Sequence, residues 1–241
     1  MTKPINQSNV LVVGGGSGIG LGIAKAFDLE GATVAIAGRT ESKLVDAIAG
    51  TSMLARVCDA SDREQVAGLL DWFGQEVGQI DILAFCAGVN VPKRSFSDMV
   101  PEDFDEIIRI NLTGAFNCIY PVLEQMRERK DGLIFNVTSI AGIQTMPVVG
   151  VQYSISKTAQ TCLGNFANFE GLPEGVRLTN VFPGETNTPI LENRPSPPPM
   201  DQRENMVYPE DIAAMVLAVA KLPKRAVVPE LIVTTTYQPR T

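Results

Sequence analysis

With 241 residues, 45% of them apolar, the chain suits one large domain with a sizeable core, and its formal charge of −7 argues against nucleic acid or an anionic membrane as the main partner. Histidine is absent, which removes Ser-His-Asp hydrolysis, Cys-His proteolysis and the usual zinc sites; no metal is expected, and any acid–base group must be a carboxylate, Lys, Cys or Tyr. No run approaches the roughly 20 apolar residues of a membrane span, the polar start Met1–Asn9 predicts no signal peptide, and four scattered cysteines without a CxxC pair suit a reducing, cytoplasmic setting.

Along the chain, short β-branched runs alternate with helical patterns. Strands are predicted at Asn9–Val13, Thr33–Ala37, Met53–Cys58, Ile80–Phe85, Leu133–Val137, Arg177–Phe182 and Ala226–Val233. Helices are predicted near 18–30, 41–49, 62–77, 101–129, 152–170 and 209–221. The strands are continuous apolar runs, as expected where helices cover both faces of a sheet. Alternation of this kind implies right-handed crossovers. The expected class is α/β: a single doubly wound Rossmann domain over 1–241, with a seven-stranded parallel sheet flanked by helices on both faces.

The first strand runs into Gly14-Gly15-Gly16-Ser17-Gly18-Ile19-Gly20 and then a helical run. Glycine is needed where the chain turns tightly, where backbone approaches a phosphate and where a helix packs closely on a strand. The helix start then offers free N–H groups and a positive dipole to a pyrophosphate. Alone, such a turn is a flexible loop as readily as a site; between a first strand and a first helix it becomes a strong signal. The second strand ends Ala37-Gly38-Arg39-Thr40, with no carboxylate at its tip for ribose hydroxyls. Arg39 is a planar fork suited to a 2′-phosphate, so NADP(H) is favoured over NAD(H), with Glu41 a mild counterweight.

Farther along, Asn111 interrupts a long helical pattern and is a mediocre helix former there, and Thr138-Ser139 closes the fifth strand with hydroxyls at the sheet edge. Tyr153-Ser154-Ile155-Ser156-Lys157 puts a phenol and an ammonium at i and i+4, on one helix face. A phenol titrates near pH 10, but an ammonium about 4 Å away at an effective dielectric near 20 contributes ~4 kcal/mol, roughly three pKa units. By itself the pair reads as a solvated helix face. The stretch Thr188–Tyr208 holds Pro189, Pro195 and Pro197–Pro199 and cannot continue a helix or central strand. Following a strand's C-terminal end, it reads as a lid near 188–208 rather than a plain linker.

The run Gly14-x-x-x-Gly18-Ile19-Gly20, with Asn111, Ser139, Tyr153-x-x-x-Lys157 and Pro183-Gly184, resembles the short-chain dehydrogenase/reductase family, in its branch of about 250 residues. The resemblance spans nearly the whole chain. It implies an NADP(H)-dependent oxidoreductase interconverting a carbonyl and an alcohol by hydride transfer, with Tyr153 as general acid/base. Lys157 would lower the tyrosine's pKa and hold the nicotinamide ribose, Ser139 would hydrogen-bond the substrate oxygen, and Asn111 would carry a water linking Lys157 to solvent. The implied cofactor contacts are Gly14, Gly16, Ser17, Gly18, Ile19, Gly20, Arg39 and Thr40 at the phosphate end, Asp59 and Ala60 at adenine, and Ala87 and Gly88 on the ribose. Tyr153 and Lys157 join Pro183, Gly184, Thr186 and Thr188 around the nicotinamide.

The chain departs from the family pattern at Val13, where threonine is usual, and at Cys86, where asparagine is usual. Ser139 lies 14 residues before Tyr153, a long spacing, which makes Thr138 the reserve hydroxyl. The C-terminal stretch lacks the glycine-rich turn of acyl-carrier-protein reductases and looks more like the NADP-dependent carbonyl, hydroxy-acid and pterin reductases. The expected pocket walls (Val89–Arg94, Ile143–Val149 and 188–208) are mainly apolar and suit an uncharged ketone or aldehyde, although Arg94, Arg194 or Arg203 could meet a carboxylate. Helices carrying Ile119, Val122, Leu163 and Phe166 beyond one apolar stripe imply, by analogy with the family, a homodimer or homotetramer. The contrasting expectation is a non-catalytic dinucleotide-binding sensor or scaffold on the same fold, since fold alone does not fix chemistry.

Overall fold

In the computed structural model, which describes residues 3–236, seven strands form: β1 (Asn9–Val13), β2 (Thr33–Gly38), β3 (Leu54–Val57), β4 (Ile82–Phe85), β5 (Gly132–Val137), β6 (Val176–Pro183) and β7 (Glu230–Val233). The expected span 1–241 includes 1–2 and 237–241, which lie outside the described residues. All seven strands pair in parallel in one sheet, in the order β3-β2-β1-β4-β5-β6-β7. The order reverses between β1 and β4, and a crevice opens at that switch beyond the strands' C-terminal ends. The register aligns those ends: Val13 pairs with Ala37 on one side and Phe85 on the other, and Val137 pairs with Val181.

Side-chain alternation builds two cores. Val10, Val12, Val34, Ile36, Phe135 and Val181 point to one face, under α1 (Gly18–Leu29) and α8 (Pro209–Ala220). Leu11, Val13, Leu83, Phe85, Ile134 and Leu178 point to the other, under α3 (Arg63–Glu76) and α5 (Gly114–Arg129). Burial on both faces is why the strands carry no polar alternation. Asp62 starts α3 by accepting from the amides of Glu64 and Gln65.

Several boundaries differ from expectation; β4, for example, starts at Ile82 rather than Ile80. The last strand is Glu230–Val233 rather than Ala226–Val233, and β3 shrinks to Leu54–Val57. The helix expected over 101–129 is two: α4 (Pro101–Ile108) and α5 are joined by a π-helical turn, Arg109–Thr113, at whose centre Asn111 is fully buried. The extra residue of such a turn marks a functional position in many helices. Between β2 and β3 lies α2 (Glu41–Ile48); α6 (Val151–Gly171) follows β5; and the proline-rich stretch holds a 3-10 turn, Pro189–Asn193, and a short α7 (Met200–Arg203).

Among the residues expected outside the core on α5 and α6, Ile119 and Val122 are buried, because they face the sheet. Phe166 is exposed, as are Ile155 and Phe169 on α6 and Phe116 and Tyr120 on α5, the last two with rings stacked at 5.4 Å. Among the described residues no helix is long and apolar enough to cross a membrane, no cluster suited to a metal occurs, and all four cysteines are unpaired.

Candidate active site

A cleft of about 530 Å³ lies over the C-terminal ends of β1, β4, β5 and β6. At one end the glycine turn forms its floor. Gly14 adopts φ +86°, and a Cβ there would sit 2.5 Å from the Ala87 amide nitrogen; a Cβ on Gly20 would sit 2.2 Å from the Gly14 carbonyl oxygen. Only glycine lets β1, β4 and α1 approach this closely. The turn is braced by backbone, with Gly14 and Gly15 donating to the Ala37 carbonyl at 2.7 and 3.1 Å, so Val13 needs no side-chain bond there. Cys86 packs beside Gly20, and burial pushes its thiol up to about 12. No side chain caps the start of α1 at Ser17, which leaves the first amides of that helix open to an anion.

Gly16, Ser17, Gly18, Ile19, Arg39, Thr40, Asp59, Ala60, Ala87 and Gly88 all line the same end. Arg39 is exposed, and among the described residues no carboxylate lies within ion-pair distance of it. Lys43, which the motif reading did not single out, lines the cleft beside it as a second cation. Its only sequence signal is a lysine one helical turn after Arg39. Asp59 is already engaged: its Oδ1 accepts from the amide and hydroxyl of Ser61 at 3.0 and 2.6 Å, and its Oδ2 lies 3.5 Å from Arg109. These bonds and Arg109 hold its carboxyl below the usual range against the opposing effect of burial. A cradle that a Cβ would fill, open helix amides and two cations together fit the diphosphate and extra phosphate of NADP(H).

At the other end, Ser139, Tyr153, Lys157, Pro183, Gly184, Thr186 and Thr188 line the wall. Ser139 is the hydroxyl that meets Tyr153, whereas Thr138 donates to the Val181 carbonyl at 3.1 Å, which keeps it turned into the sheet. Burial raises the Tyr153 pKa; the Ser139 hydroxyl opposes that rise most, followed by the positive fields of Arg94 and Arg194. Lys157, expected from the i,i+4 spacing to lower the phenol's pKa, shares the cleft wall with Tyr153. Its Nζ donates to Gln160 Oε1 at 2.8 Å and to the Val137 carbonyl at 3.3 Å, and stands 5.8 Å from the Tyr153 ring centre. Burial depresses the Lys157 pKa to about 7, so the amine is only partly charged near neutrality.

Asn111 is the one expected site residue that does not line the cleft. Its Oδ1 accepts from Val89 N at 2.8 Å, and its Nδ2 donates to Val89 O and Ser156 Oγ, both at 3.0 Å. The side chain thus clamps the strand exit after β4 to α6. Sequence reasoning also missed the polar layer beneath Lys157. Gln160 Nε2 donates to Asn136 Oδ1 at 2.7 Å, and Asn136 Nδ2 donates to Asn180 Oδ1 at 2.8 Å. The available signal was three amides at positions that pattern alone assigns to core.

A model of the short chain dehydrogenase family matches residues 8–198. An uncharacterised oxidoreductase of Staphylococcus aureus (strain MRSA252) is 30% identical over 92% of this chain and 95% of its own. Glycine betaine reductase of Emericella nidulans is 28% identical over 95% of this chain, but the chain spans only 19% of that protein's length. Among solved structures, an alcohol dehydrogenase from Thermococcus sibiricus complexed with 5-hydroxy-NADP superposes at a TM-score of 0.85, with 26% identity over 97% of this chain and 99% of the other. The closed form of a serine dehydrogenase complexed with NADP+ superposes at 0.87, with 25% identity over 96% of each chain.

Proposed function

The chain belongs to the short-chain dehydrogenase family, and on that premise we propose that it is an NADP(H)-dependent oxidoreductase interconverting a carbonyl and an alcohol, with Tyr153 as the acid–base group. The observation that carries this reading is the meeting of Ser139 and Tyr153 in one cleft with Lys157, opposite an open glycine turn flanked by Arg39 and Lys43. Solved relatives bound to NADP+ and a substituted NADP support the cofactor choice.

The glycine turn and the start of α1 would hold the diphosphate, Arg39 and Lys43 the 2′-phosphate, and Pro183, Gly184, Thr186 and Thr188 the nicotinamide. The bound cofactor supplies the hydride chemistry. Ser139 and Tyr153 both reach the substrate oxygen, so two donors aim where negative charge develops on reduction. Tyr153 gives up its phenolic proton to that oxygen, and its raised pKa keeps the proton in place until then. Lys157 sits behind the phenol, and its pKa near 7 lets it take or release a proton at working pH. Asn111 fixes the walls around Lys157 through Val89 and Ser156.

The 188–208 segment acts as the lid of one domain over 1–241. Thr188 lies across Gly18, and the segment's base is tied by Val207 donating to the Glu185 carbonyl at 3.0 Å. The exposed Phe116, Tyr120, Phe166 and Phe169 favour a homodimer or homotetramer through α5 and α6, and the four unpaired thiols fit a cytoplasmic location. The test is NADPH consumption on a broad panel of ketones and aldehydes. Turnover of at least one class is expected; tight NADPH binding without turnover on any member would favour the sensor reading instead.

A further inference from the structure

Two arginines converge on the substrate end of the cleft. Arg94, 6% exposed, donates from Nε to the Val91 carbonyl at 2.6 Å, from Nη1 to Val148 at 3.1 Å and from Nη2 to Asn193 at 2.7 Å. It ties together the loops after β4, β5 and β6, yet every partner is a neutral carbonyl. Among the described residues no carboxylate lies within ion-pair distance of its guanidinium. Arg194 lines the same wall and pairs with Glu185 at 2.9 Å. Arg203, the third candidate in the sequence, does not line the cleft and is held by Glu192.

A guanidinium stays protonated at any working pH, so this wall holds two fixed positive charges against one carboxylate. A buried charge without a counter-charge is strongly disfavoured. We infer that the wall takes a carboxylate of the substrate, and that the substrate class is a hydroxy acid or its oxo acid. This rests on the oxidoreductase reading above and adds a binding contact to it, with no chemical step. The net charge of the wall matches a monoanion rather than a phosphate dianion, and a guanidinium fork pairs with a carboxylate through two parallel bonds. Both arginines line the cleft with Tyr153, and their positive fields reach its phenol, so the carboxylate would sit at the same end as the reacting carbon. Arg94 keeps two N–H groups beyond its three carbonyl bonds, and Arg194 keeps those that Glu185 does not use.

The test compares matched pairs with NADPH: pyruvate, acetoacetate and levulinate, each against its methyl ester. For the best pair, wild type is expected to favour the acid in kcat/KM by about tenfold or more, as expected for a charge-assisted contact. Arg194→Gln should lower that acid-to-ester ratio at least tenfold. Glu185→Gln/Arg194→Gln removes both charges, guards against a folding defect from an unpaired Glu185, and should lower the ratio as well. Equal use of acid and ester by wild type, or a ratio unmoved in both variants, would overturn the proposal. If no carbonyl is turned over, the oxidoreductase reading fails separately, and the contact is read by calorimetry of butyrate against butyramide on NADPH-saturated protein. Saturable butyrate binding that the double variant loses would uphold the carboxylate contact, and its absence in wild type would overturn it.

Discussion

The two ends of the cleft are built differently. The cofactor end is made of contiguous backbone: seven residues from Gly14 to Gly20 supply the turn, the close approach to β4 and the uncapped start of α1. The substrate end is made of side chains that meet from far apart in the chain. Arg94 reaches 54 residues to Val148 and 99 to Asn193, and Gln160 reaches 24 to Asn136. A local motif is rigid because its geometry is written in φ angles. A convergent wall is only as rigid as its hydrogen bonds, and it can be retuned one side chain at a time.

The largest effect is expected at the rigid end. Gly14→Ala forces a Cβ against Ala87 at a positive φ, which costs about 3 kcal/mol or more. For a chain of this size that is a fall in Tm of roughly 6–12 °C, together with loss of NADPH binding. A melting point within about 2 °C of wild type, with affinity retained, would show that the turn is softer than its packing implies.

Next is the buried amine of Lys157. Its folded pKa of about 7 lies below the 10.5 of the free side chain, so the unfolded chain holds more protons between those values and stability rises with pH there. Between about pH 7 and 9 the gain is ~2 kcal/mol. The difference in unfolding free energy between wild type and Lys157→Met should therefore change by that amount over the interval, measured by denaturant titration. A constant difference would contradict the burial of the amine.

The ease with which each end can be read from sequence follows the same division. The sheet, the glycine turn and Arg39 are visible because each signal lies within a few residues, whereas Ser139, Tyr153 and Lys157 at the other end gain meaning only from the family resemblance. The π turn at Asn111 is invisible to helical periodicity, since one added residue hardly disturbs a 29-residue pattern from 101 to 129. The Gln160–Asn136–Asn180 layer and the Arg94 latch depend on tertiary register that no local window contains. The i,i+4 spacing conveys that Lys157 is near the phenol but not that burial depresses its pKa to about 7.

Gln160 gives a smaller, sharper test. Gln160→Leu removes the acceptor that holds Lys157 Nζ at 2.8 Å, and kcat should fall about tenfold with less change in KM. Gln160→Glu places a negative charge there and should move the lysine limb of the pH–rate profile upward by about one unit or more. Unmoved profiles in both variants would reduce Gln160 to core filling. Smallest is Arg39→Ala, expected to lower the preference for NADPH over NADH about tenfold in equilibrium titrations. A preference that stays intact would shift the phosphate role to Lys43.

The central claim is that Tyr153 delivers the proton in a site whose cofactor end works without it. Stopped-flow mixing of NADPH-loaded protein with a carbonyl it reduces, following the nicotinamide absorbance through one turnover, addresses this directly. Tyr153→Phe should bind NADPH as wild type does within about threefold while hydride loss slows by roughly 10²–10⁴. A single-turnover rate within about threefold of wild type would show that another group carries the proton.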